Sequence, residues 1–572
     1  MNNKNYEKWL EYDELECELK EELNNMDEKQ IEDAFYREIS FGTGGMRGIM
    51  GAGTNRINTY TIRKATKGVS KWIESQGEAA MDRGVAIAYD CRLNSKKFAQ
   101  IAGAVLATRG INVYLFEELR PTPELSFAVR ELNAFMGIVI TASHNPPKYN
   151  GYKLYDSKGC QLVPSQIKPI IDNIISIEDS FSIECLPIEE LVKLGRVKLI
   201  GNEIDRKYIE RIEALTTENR NNLEKIKIVY TPLHGAGYEP MRRSFETFDY
   251  KDVYFEPNQI IPDGNFSTVD LPNPENKEAF NLALKLATKV KADLVIATDP
   301  DADRMGIAVL NKLGDYKLLT GNQVGALLID YIIAERDKEN KLDSDFRIIN
   351  TIVTSDFGAA IGRSHGIETD STLTGFKYIG EKIAEYESNG NRKFLFGYEE
   401  SYGYLIGDFV RDKDAIQSAI LFSEMASNYK KMGYTPYEKL QSLYEHYGYY
   451  KEELISFKLE GKEGSEKIKF ILDEIRNKPE KIVKWKDINY IEDYEIGKKL
   501  YEKGNVEYLN LPKSNVLKFN LKDNSWFALR PSGTEPKLKI YIGVCENDEI
   551  ASEKKLEALK TKCNAFINSV LG

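Results

Sequence analysis

Short apolar runs, many of them rich in β-branched residues, recur along the chain with polar segments between them. Each run is typical of a buried strand. Between the runs, apolar residues three or four positions apart predict helices such as 95–109 and 276–290. Strands that alternate with helices in this way form parallel sheets covered on both faces. The clearest predicted strands are 85–90, 113–116, 136–140 and 293–298.

The pattern divides much of the chain into three successive α/β units. The first ends at a polar loop that starts at Thr141, and the second runs from Ile226 to Thr298. The third runs from about Gly321 to a strand at 394–397. No close sequence repeat joins the units, yet each ends in a polar loop, which indicates tandem domains of one architecture.

The pattern differs at the two ends of the chain. Residues 4 to about 38 carry apolar side chains at helical spacing and predict one amphipathic helix that packs on the body. Beyond residue 450, charged helices and a few strands indicate a smaller α+β domain. These elements are predicted at 464–476, 526–529, 537–543 and 549–568. No element is predicted within 478–512.

The chain has 572 residues, too many for a single core, and the length suggests about four domains. We therefore predict three tandem related α/β domains followed by a smaller C-terminal α+β domain. The predicted boundaries are 1–205, 206–318, 319–447 and 448–572 for domains I to IV.

Charge and composition narrow the class of protein. The chain has 89 acidic and 78 basic residues, a net charge of -11, spread along its length. This balance argues against a nucleic-acid partner. No apolar segment is typical of a signal peptide or long enough to span a membrane, so we expect a cytoplasmic location and no membrane partner. The six scattered cysteines form no Cys-x-x-Cys pair, which argues against disulfides and a zinc site.

The loop after the strand 136–140 carries the first candidate chemistry. It reads Thr-Ala-Ser-His-Asn-Pro from Thr141, so Ser143 and His144 lie at a strand end. Ligands bind at such strand ends in open α/β sheets. A Ser-His-Asn-Pro turn can present a hydroxyl, although a well-capped surface turn has the same sequence.

A glycine-rich loop, Phe-Gly-Thr-Gly-Gly-Met-Arg-Gly, begins at Phe41 and contains Arg47. Its spacing fits neither the dinucleotide-binding nor the Walker pattern. Backbone amides beside an arginine could still hold a phosphate, and a plain turn is the alternative.

Three carboxylates follow the strand 293–298, in Asp299-Pro-Asp-Ala-Asp-Arg. In an extended segment, Asp299, Asp301 and Asp303 would project to one side. Three close carboxylates repel unless a cation neutralises them, and oxygen ligands favour Mg²⁺. An EF-hand is excluded because Arg304 stands where its loop needs glycine.

Two further polar loops suit a sugar phosphate. Gly-Tyr-Glu-Glu-Ser-Tyr-Gly from Gly397 can bond sugar hydroxyls, although a polar hairpin would look alike. Arg-Pro-Ser-Gly-Thr-Glu-Pro-Lys from Arg530 can bind a phosphate, and it can also form a simple β-turn. Thr374-Gly-Phe-Lys377 is another basic loop.

One pattern is rejected. Gly-Arg-Ser-His-Gly around Ser364 matches the Gly-x-Ser-x-Gly motif of serine hydrolases. That motif needs a strand before the serine and a helix after it, whereas we expect Ser364 to end a helix and lead into a strand.

The four loops at Thr141, Asp299, Gly397 and Arg530, in this order, closely resemble the four active-site loops of the α-D-phosphohexomutases. The resemblance spans nearly the whole chain. It implies three α/β domains and a fourth domain like the TATA-box-binding protein around one central cleft. It also implies phosphoryl transfer between positions of a sugar monophosphate, with Mg²⁺ as cofactor, a sugar bisphosphate as intermediate and activator, and sugar phosphates as the partners.

The resemblance also implies roles for individual residues. Ser143 would carry the phosphoryl group, and Asp299, Asp301 and Asp303 would hold Mg²⁺ together with the phosphoserine oxygen. Lys153 would be the usual candidate for general acid and base. The remaining roles fall into three groups: Arg47, His144 and Arg304 around the transferred phosphoryl group; Glu399 and Ser401 at the sugar hydroxyls; and Arg530, Ser532, Gly533 and Thr534 at the other phosphate.

The sugar is less well specified. The loops at Gly397 and Lys377 resemble those of the glucose-phosphate branch, because mannose- and glucosamine-type relatives usually carry a histidine in each. We therefore expect interconversion of glucose 1-phosphate and glucose 6-phosphate, with glucose 1,6-bisphosphate as the activator. The form of the loop at Phe41 also resembles a branch with pentose-phosphate enzymes, so ribose or deoxyribose phosphates, and mannose phosphates, stay as alternatives.

Overall fold

A computed structural model of the chain describes residues 4–42, 45–216, 224–459, 461–479, 487–502, 504–531 and 537–571. The chain forms two compact units. The first comprises residues 1–324 and 376–435, and the second comprises 325–375 and 436–572.

The helices, in chain order, are α1 (Lys4–Glu11), α2 (Cys17–Asn24), α3 (Glu28–Phe35), α4 (Thr59–Ser75), α5 (Glu78–Arg83), α6 (Ser95–Thr108), α7 (Thr122–Glu131), α8 (Pro164–Ile175), α9 (Ile188–Lys193), α10 (Asn202–Glu213), α11 (Tyr238–Thr247), α12 (Asn281–Val290), α13 (Gly321–Lys338), α14 (Asp356–Ser364), α15 (Phe376–Asn389), α16 (Ala415–Lys431), α17 (Pro436–Tyr447), α18 (Gly461–Asn477) and α19 (Glu549–Leu571).

The strands are β1 (Phe41–Gly42), β2 (Gly45–Ile49), β3 (Val85–Tyr89), β4 (Val113–Phe116), β5 (Met136–Ile140), β6 (Tyr149–Tyr155), β7 (Val197–Ile200), β8 (Ile228–Thr231), β9 (Val253–Phe255), β10 (Leu294–Thr298), β11 (Met305–Leu310), β12 (Tyr316–Leu319), β13 (Phe346–Thr351), β14 (Glu368–Thr372), β15 (Lys393–Glu399), β16 (Gly403–Leu405), β17 (Tyr449–Lys458), β18 (Ile488–Asp493), β19 (Lys498–Tyr501), β20 (Val506–Tyr508), β21 (Leu517–Leu521), β22 (Trp526–Pro531) and β23 (Lys537–Glu546).

The first sheet has the strand order β1-β2-β6-β5-β3-β4-β7. Strands β5, β3 and β4 are parallel, as predicted, and every residue of β3 and β5 is buried. Strand β7, which was not predicted, is parallel to β4. Helices cover both faces, which is why these strands are apolar without alternation. The antiparallel strand β6 was not predicted, because the polar residues Asn150 and Lys153 interrupt its apolar pattern.

The second sheet has the order β12-β11-β10-β8-β9. Strand β10 is parallel to β8 and antiparallel to β11, so the segment between β10 and β11 is the turn of a hairpin. That turn contains the three predicted metal ligands. A second hairpin of the same unit joins β15 to β16, and Glu399 pairs with Gly403 across its turn.

The single N-terminal helix predicted for residues 4 to about 38 is wrong. The segment forms three short helices, α1 to α3, and Asp27 caps α3 through a hydrogen bond to the amide of Gln30. The breaks allow Trp9 and Leu23 to reach one apolar cluster, together with Tyr60 of α4. A continuous helix of this length would have carried its ends about 50 Å apart.

The second unit contains a parallel pair, β13 and β14, and a fully antiparallel sheet of order β17-β23-β22-β21-β18-β19-β20. Helices α18 and α19 share their apolar core with this sheet, which confirms the predicted α+β domain. Strands β18 to β20 lie in the stretch for which no element was predicted. Ser364 ends α14 and is followed by β14, so the rejection of a hydrolase elbow is confirmed.

Within the described parts of the chain, no helix combines the length and the apolar character needed to cross a membrane.

Candidate active site

Ser143 lies in the turn between β5 and β6 and has a left-handed backbone conformation, with φ of 52°. Few residues with a Cβ adopt this conformation, so the surrounding contacts must hold it. The side chain is 3% exposed. Its hydroxyl donates to Oδ2 of Asp299 at 2.7 Å and lies 3.1 Å from Nδ1 of His144.

Arg92 stabilises the Ser143 turn through hydrogen bonds to its backbone. Its Nη2 donates to the carbonyl oxygens of Ser143 and Asn145, each at 2.5 Å. Its Nη1 donates to those of Pro146 and Tyr149, at 3.0 and 3.1 Å. One planar guanidinium therefore fixes four backbone carbonyls of the turn.

Asp90, at the end of β3, fixes Arg92 in turn. Oδ2 of Asp90 lies 3.3 Å from Nε of Arg92 and accepts from Oγ1 of Thr141 at 2.6 Å. Oδ1 of Asp90 accepts from Oγ of Ser95 at 2.7 Å. Sequence reasoning missed Asp90 and Arg92, and the only signal was an Asp-x-Arg placed at a strand end.

The three aspartates converge, as predicted, but not by extended geometry. The segment from Asp299 to Arg304 is a tight turn in which Ala302 has φ of 47°. Oδ1 of Asp299 accepts from the backbone amides of Asp303 and Arg304, at 3.2 and 3.0 Å. Curling of the chain around one carboxylate, and not the alternation of a strand, brings the side chains together.

The cluster fits a divalent cation. One carboxylate oxygen of each aspartate lies within 4.8 Å of the others, and all three residues are buried. Oδ1 of Asp301 and Oδ1 of Asp303 have no hydrogen-bond partner among the described residues, although both atoms are buried. Burial and the charges of Asp301 and Asp303 raise the pKa of Asp299 well above its ordinary value. A hard cation would satisfy the free oxygens and offset this repulsion.

Two lysines balance part of the negative charge. Nζ of Lys153 lies 3.0 Å from Oδ2 of Asp301, and Nζ of Lys413 lies 3.1 Å from Oδ2 of Asp303. Burial favours a raised pKa for Asp301, but the Lys153 ammonium holds that pKa below its ordinary value. Burial acts to lower the pKa of Lys413, yet Asp303, Asp412 and Glu399 raise it overall. Lys413 was missed, although it stands in the charged run Arg411-Asp-Lys-Asp before α16.

Thr122 joins α7 to the aspartate turn. Its Oγ1 donates to Oδ2 of Asp301 at 2.9 Å, and its backbone amide donates to the Asp301 carbonyl, also at 2.9 Å. The sequence indicated only the start of a helix at this position. Thr122 is fully buried, so the first residue of α7 fixes both the backbone and the carboxylate of Asp301.

The predicted phosphoryl-group residues lie around this centre. Arg304 pairs with Glu275, and its Nε lies 3.9 Å from Oδ1 of Asp303. Arg47 on β2 donates to Oδ1 of Asn145 at 2.9 Å, next to the Ser143 turn. Burial, followed by the charges of Arg304 and Arg47, holds the pKa of His144 well below its ordinary value. The imidazole is therefore neutral near pH 7.

The predicted sugar-binding residues belong to the same unit. Glu399 is buried and lies close enough to Lys413 and Arg304 for its charge to raise the pKa of each. Ser401 is half-buried in the turn that follows Glu399. Lys377 is buried in the first turn of α15, with Nζ 5.1 Å from the centre of the Tyr378 ring.

The predicted phosphate-binding loop belongs to the second unit. Arg530 is half-buried near the end of β22, and its backbone lies opposite Lys539 in the pairing of β22 with β23. Ser532, Gly533 and Thr534 lie outside the described residues.

The chain matches family models along most of its length. The models are the phosphoglucomutase/phosphomannomutase alpha/beta/alpha domains I, II and III and the C-terminal domain of the same family. They match residues 38–180, 206–312, 320–447 and 460–560.

Curated relatives cover nearly the whole chain. A phosphoglucomutase of Staphylococcus saprophyticus is 36% identical over 548 residues, which are 95% of this chain and 98% of the relative. A phosphoglucomutase of Staphylococcus aureus strain USA300 is 36% identical over 554 residues, 96% of this chain and 97% of the relative.

Solved structures share the fold. A putative phosphomannomutase from Thermus thermophilus has a TM-score of 0.67 at 20% identity, and the match covers 93% of this chain and 99% of that one. The open form of pp63/parafusin, a phosphoglucomutase from Paramecium, has a TM-score of 0.65 at 16% identity, over 94% and 96% of the two chains. By its four domain matches and its relatives, the chain belongs to the phosphoglucomutase/phosphomannomutase family.

Proposed function

We propose that this chain interconverts glucose 1-phosphate and glucose 6-phosphate by phosphoryl transfer through Ser143. The observation that carries the proposal is the Ser143 hydroxyl, buried and strained, 2.7 Å from a carboxylate of a three-aspartate cluster. A serine that acts on acyl groups needs a base and an oxyanion hole. A serine beside a cation-binding cluster and two lysines suits a dianionic phosphoryl group.

In the first half-reaction, a free hydroxyl of the sugar monophosphate attacks the phosphorus of phospho-Ser143. The bond between phosphorus and Oγ of Ser143 breaks, and glucose 1,6-bisphosphate forms. The proton lost by the sugar hydroxyl is balanced by the proton that Oγ of Ser143 holds at the end. Lys153 is the group that we propose to relay it, because its Nζ lies within the aspartate cluster.

In the second half-reaction, the bisphosphate turns round and presents its other phosphate to Ser143. The same transfer then runs in reverse, restores phospho-Ser143 and releases the isomeric monophosphate. When bound by Asp299, Asp301, Asp303 and an oxygen on Ser143, Mg²⁺ would neutralise charge on the transferred group.

The other predicted residues complete the proposal. Arg47, His144 and Arg304 would surround the transferred group, with His144 acting through hydrogen bonds. Glu399, Ser401 and Lys377 would bind the sugar. Arg530, with Ser532, Gly533 and Thr534, would bind the phosphate that does not react.

Glucose is the proposed sugar because the relatives that match nearly the whole chain are named phosphoglucomutases. The absence of histidine from the loops at Lys377 and Glu399 supports the same choice. Pentose and mannose phosphates are the alternatives. We also propose a cytoplasmic location, which all six cysteines, free in the structure, support.

The test is a coupled assay of Ser143→Ala across glucose, mannose, glucosamine and pentose 1-phosphates, with the bisphosphate activator present. We expect wild-type conversion to be fastest for glucose 1-phosphate and conversion by Ser143→Ala to be undetectable. Ser165→Ala, which removes an exposed hydroxyl on α8, should keep full activity. Full activity in Ser143→Ala, or free phosphate released in step with turnover, would overturn the proposal, the latter in favour of a phosphatase.

A further inference from the structure

A second cavity, of about 820 Å³, lies in the C-terminal part of the second unit. It opens at one end of the antiparallel sheet, where β17 and β22 begin and β21 and β23 end. The first residue and the last turn of α14 close another side. The volume is within the range of small-molecule sites, about 300–1,000 Å³.

The cavity is separate from the predicted phosphate-binding loop. That loop joins the end of β22 to the start of β23, whereas Trp526 at the start of β22 and Cys545 near the end of β23 line the cavity. Arg530 lies four positions beyond Trp526 along β22, a rise of about 13 Å. The cavity therefore lies at the opposite end of this hairpin from the end of β22 that leads into the predicted loop.

The lining is polar, and its charge disfavours a phosphate. Four acidic side chains line the cavity against one lysine and one arginine. The lysine, Lys555, forms ion pairs with Glu546 at 2.6 Å and with Asp523 at 3.0 Å. A dianion would therefore meet an excess of negative charge, whereas an uncharged polar ligand would not.

Several polar side chains at the cavity lack partners. Asp356 and Arg363, seven positions apart on α14 and so on one face of it, make no ion pair or side-chain hydrogen bond among the described residues. The amides of Asn489 and Asn524 also make no side-chain hydrogen bond there. Together they offer the donors and acceptors that vicinal hydroxyl groups bind in pairs.

Aromatic rings form a rigid part of the wall. Tyr450 stacks on Phe357, with ring centres 5.1 Å apart and planes 16° apart. Trp526 packs on Gly543, where a Cβ would come within 2.5 Å of the indole, and Nζ of Lys518 lies 4.6 Å from its centre. Tyr450, fixed beside amides and a carboxylate that lack side-chain hydrogen bonds within the described residues, suits the mixed apolar and hydroxylated faces of a sugar ring.

We propose that this cavity is a binding site for a neutral carbohydrate, with maltotriose as the probe, distinct from the site at Ser143. Asp356 and Arg363 bind its hydroxyl groups, and half-buried Tyr450 contacts a ring face. The proposal rests on the lining of the cavity alone and holds whichever sugar phosphate the chain converts.

The experiment is a titration of the full-length chain with maltotriose, read by saturation-transfer NMR and calorimetry. Asp356→Asn and Arg363→Ala change exposed side chains that make no ion pair or side-chain hydrogen bond among the described residues, so we expect both to fold with nearly unchanged thermal midpoints. Each should weaken maltotriose binding at least fivefold and leave conversion of glucose 1-phosphate unchanged. Lys562→Ala, which removes an exposed charge from α19, is the control and should change neither binding nor conversion.

Three results would overturn the proposal: no saturable binding of maltotriose, equal binding by wild type and both variants, or displacement of maltotriose by glucose 1,6-bisphosphate. The last would place the sugar at the Ser143 site. A protein that converts glucose 1-phosphate but does not bind maltotriose would overturn only the carbohydrate site. A protein that binds maltotriose but keeps full activity in Ser143→Ala would overturn only the proposed function.

Discussion

The turn around Ser143 and the turn from Asp299 to Arg304 meet in one site, yet they are stabilised in different ways. The Ser143 turn is held by Arg92 through four backbone carbonyls, so its position does not depend on what its side chain carries. The aspartate turn is held partly by its own amides and partly by balanced charge, with Lys153 and Lys413 against three carboxylates. The proposed phosphoserine is thus held through backbone contacts with Arg92, which is paired with Asp90, whereas the proposed cation ligands depend on charge balance with two lysines.

Asp301→Asn should have the largest effect, because it changes the charge balance of the aspartate turn and keeps its shape. The amide can still accept from Thr122, but Lys153 loses its nearer carboxylate partner and the cluster loses a ligand charge. We expect the turnover number to fall about 1,000-fold and the Mg²⁺ concentration needed for half-maximal activity to rise.

Asp412→Asn is the matched control for this comparison. Asp412 is also buried and also contacts a lysine, Lys413, at 3.2 Å, but it lies outside the cluster of three. Its loss should reduce turnover far less. Equal losses of turnover in the two variants would mean that the three-aspartate cluster has no particular role in catalysis.

Arg92→Met should have the next effect, and chiefly on stability. It removes four hydrogen bonds and leaves Asp90 buried without its cation, a change that costs about 3–5 kcal/mol in comparable buried pairs. Hydrogen exchange of the amides from Ser143 to Tyr149 should speed up, while Mg²⁺-dependent protection of the aspartate turn persists. If exchange rises equally in both turns, the Ser143 turn and the aspartate turn are not stabilised independently.

Thr122→Val should have the smallest effect, on Mg²⁺ affinity alone. Valine has nearly the shape of threonine but cannot donate to Oδ2 of Asp301, and loss of such a supporting bond weakens metal binding about tenfold or more. Thermal shift measured against Mg²⁺ concentration would detect it. Thr122→Ser, which keeps the hydroxyl, should restore the affinity, and failure to do so would show that packing and not the hydrogen bond matters.

The sequence was informative where a feature is local. The strands β3, β5 and β10 and the loops that follow them could be predicted because fully buried strands are continuous apolar runs. Lys413 and Thr122 could not, since their importance comes from contacts with residues 110 and 179 positions away. The extended geometry expected for the three aspartates was wrong for a related reason, because the left-handed Ala302 follows from the hairpin between β10 and β11.

The measurement that tests the central claim most directly is the mass of the peptide containing Ser143. After incubation with glucose 1,6-bisphosphate, the account predicts one phosphate on this peptide. Excess glucose 1-phosphate should remove that phosphate and yield bisphosphate, with no free phosphate. An active protein whose Ser143 never carries phosphate, or carries one that excess sugar phosphate does not remove, would contradict the account.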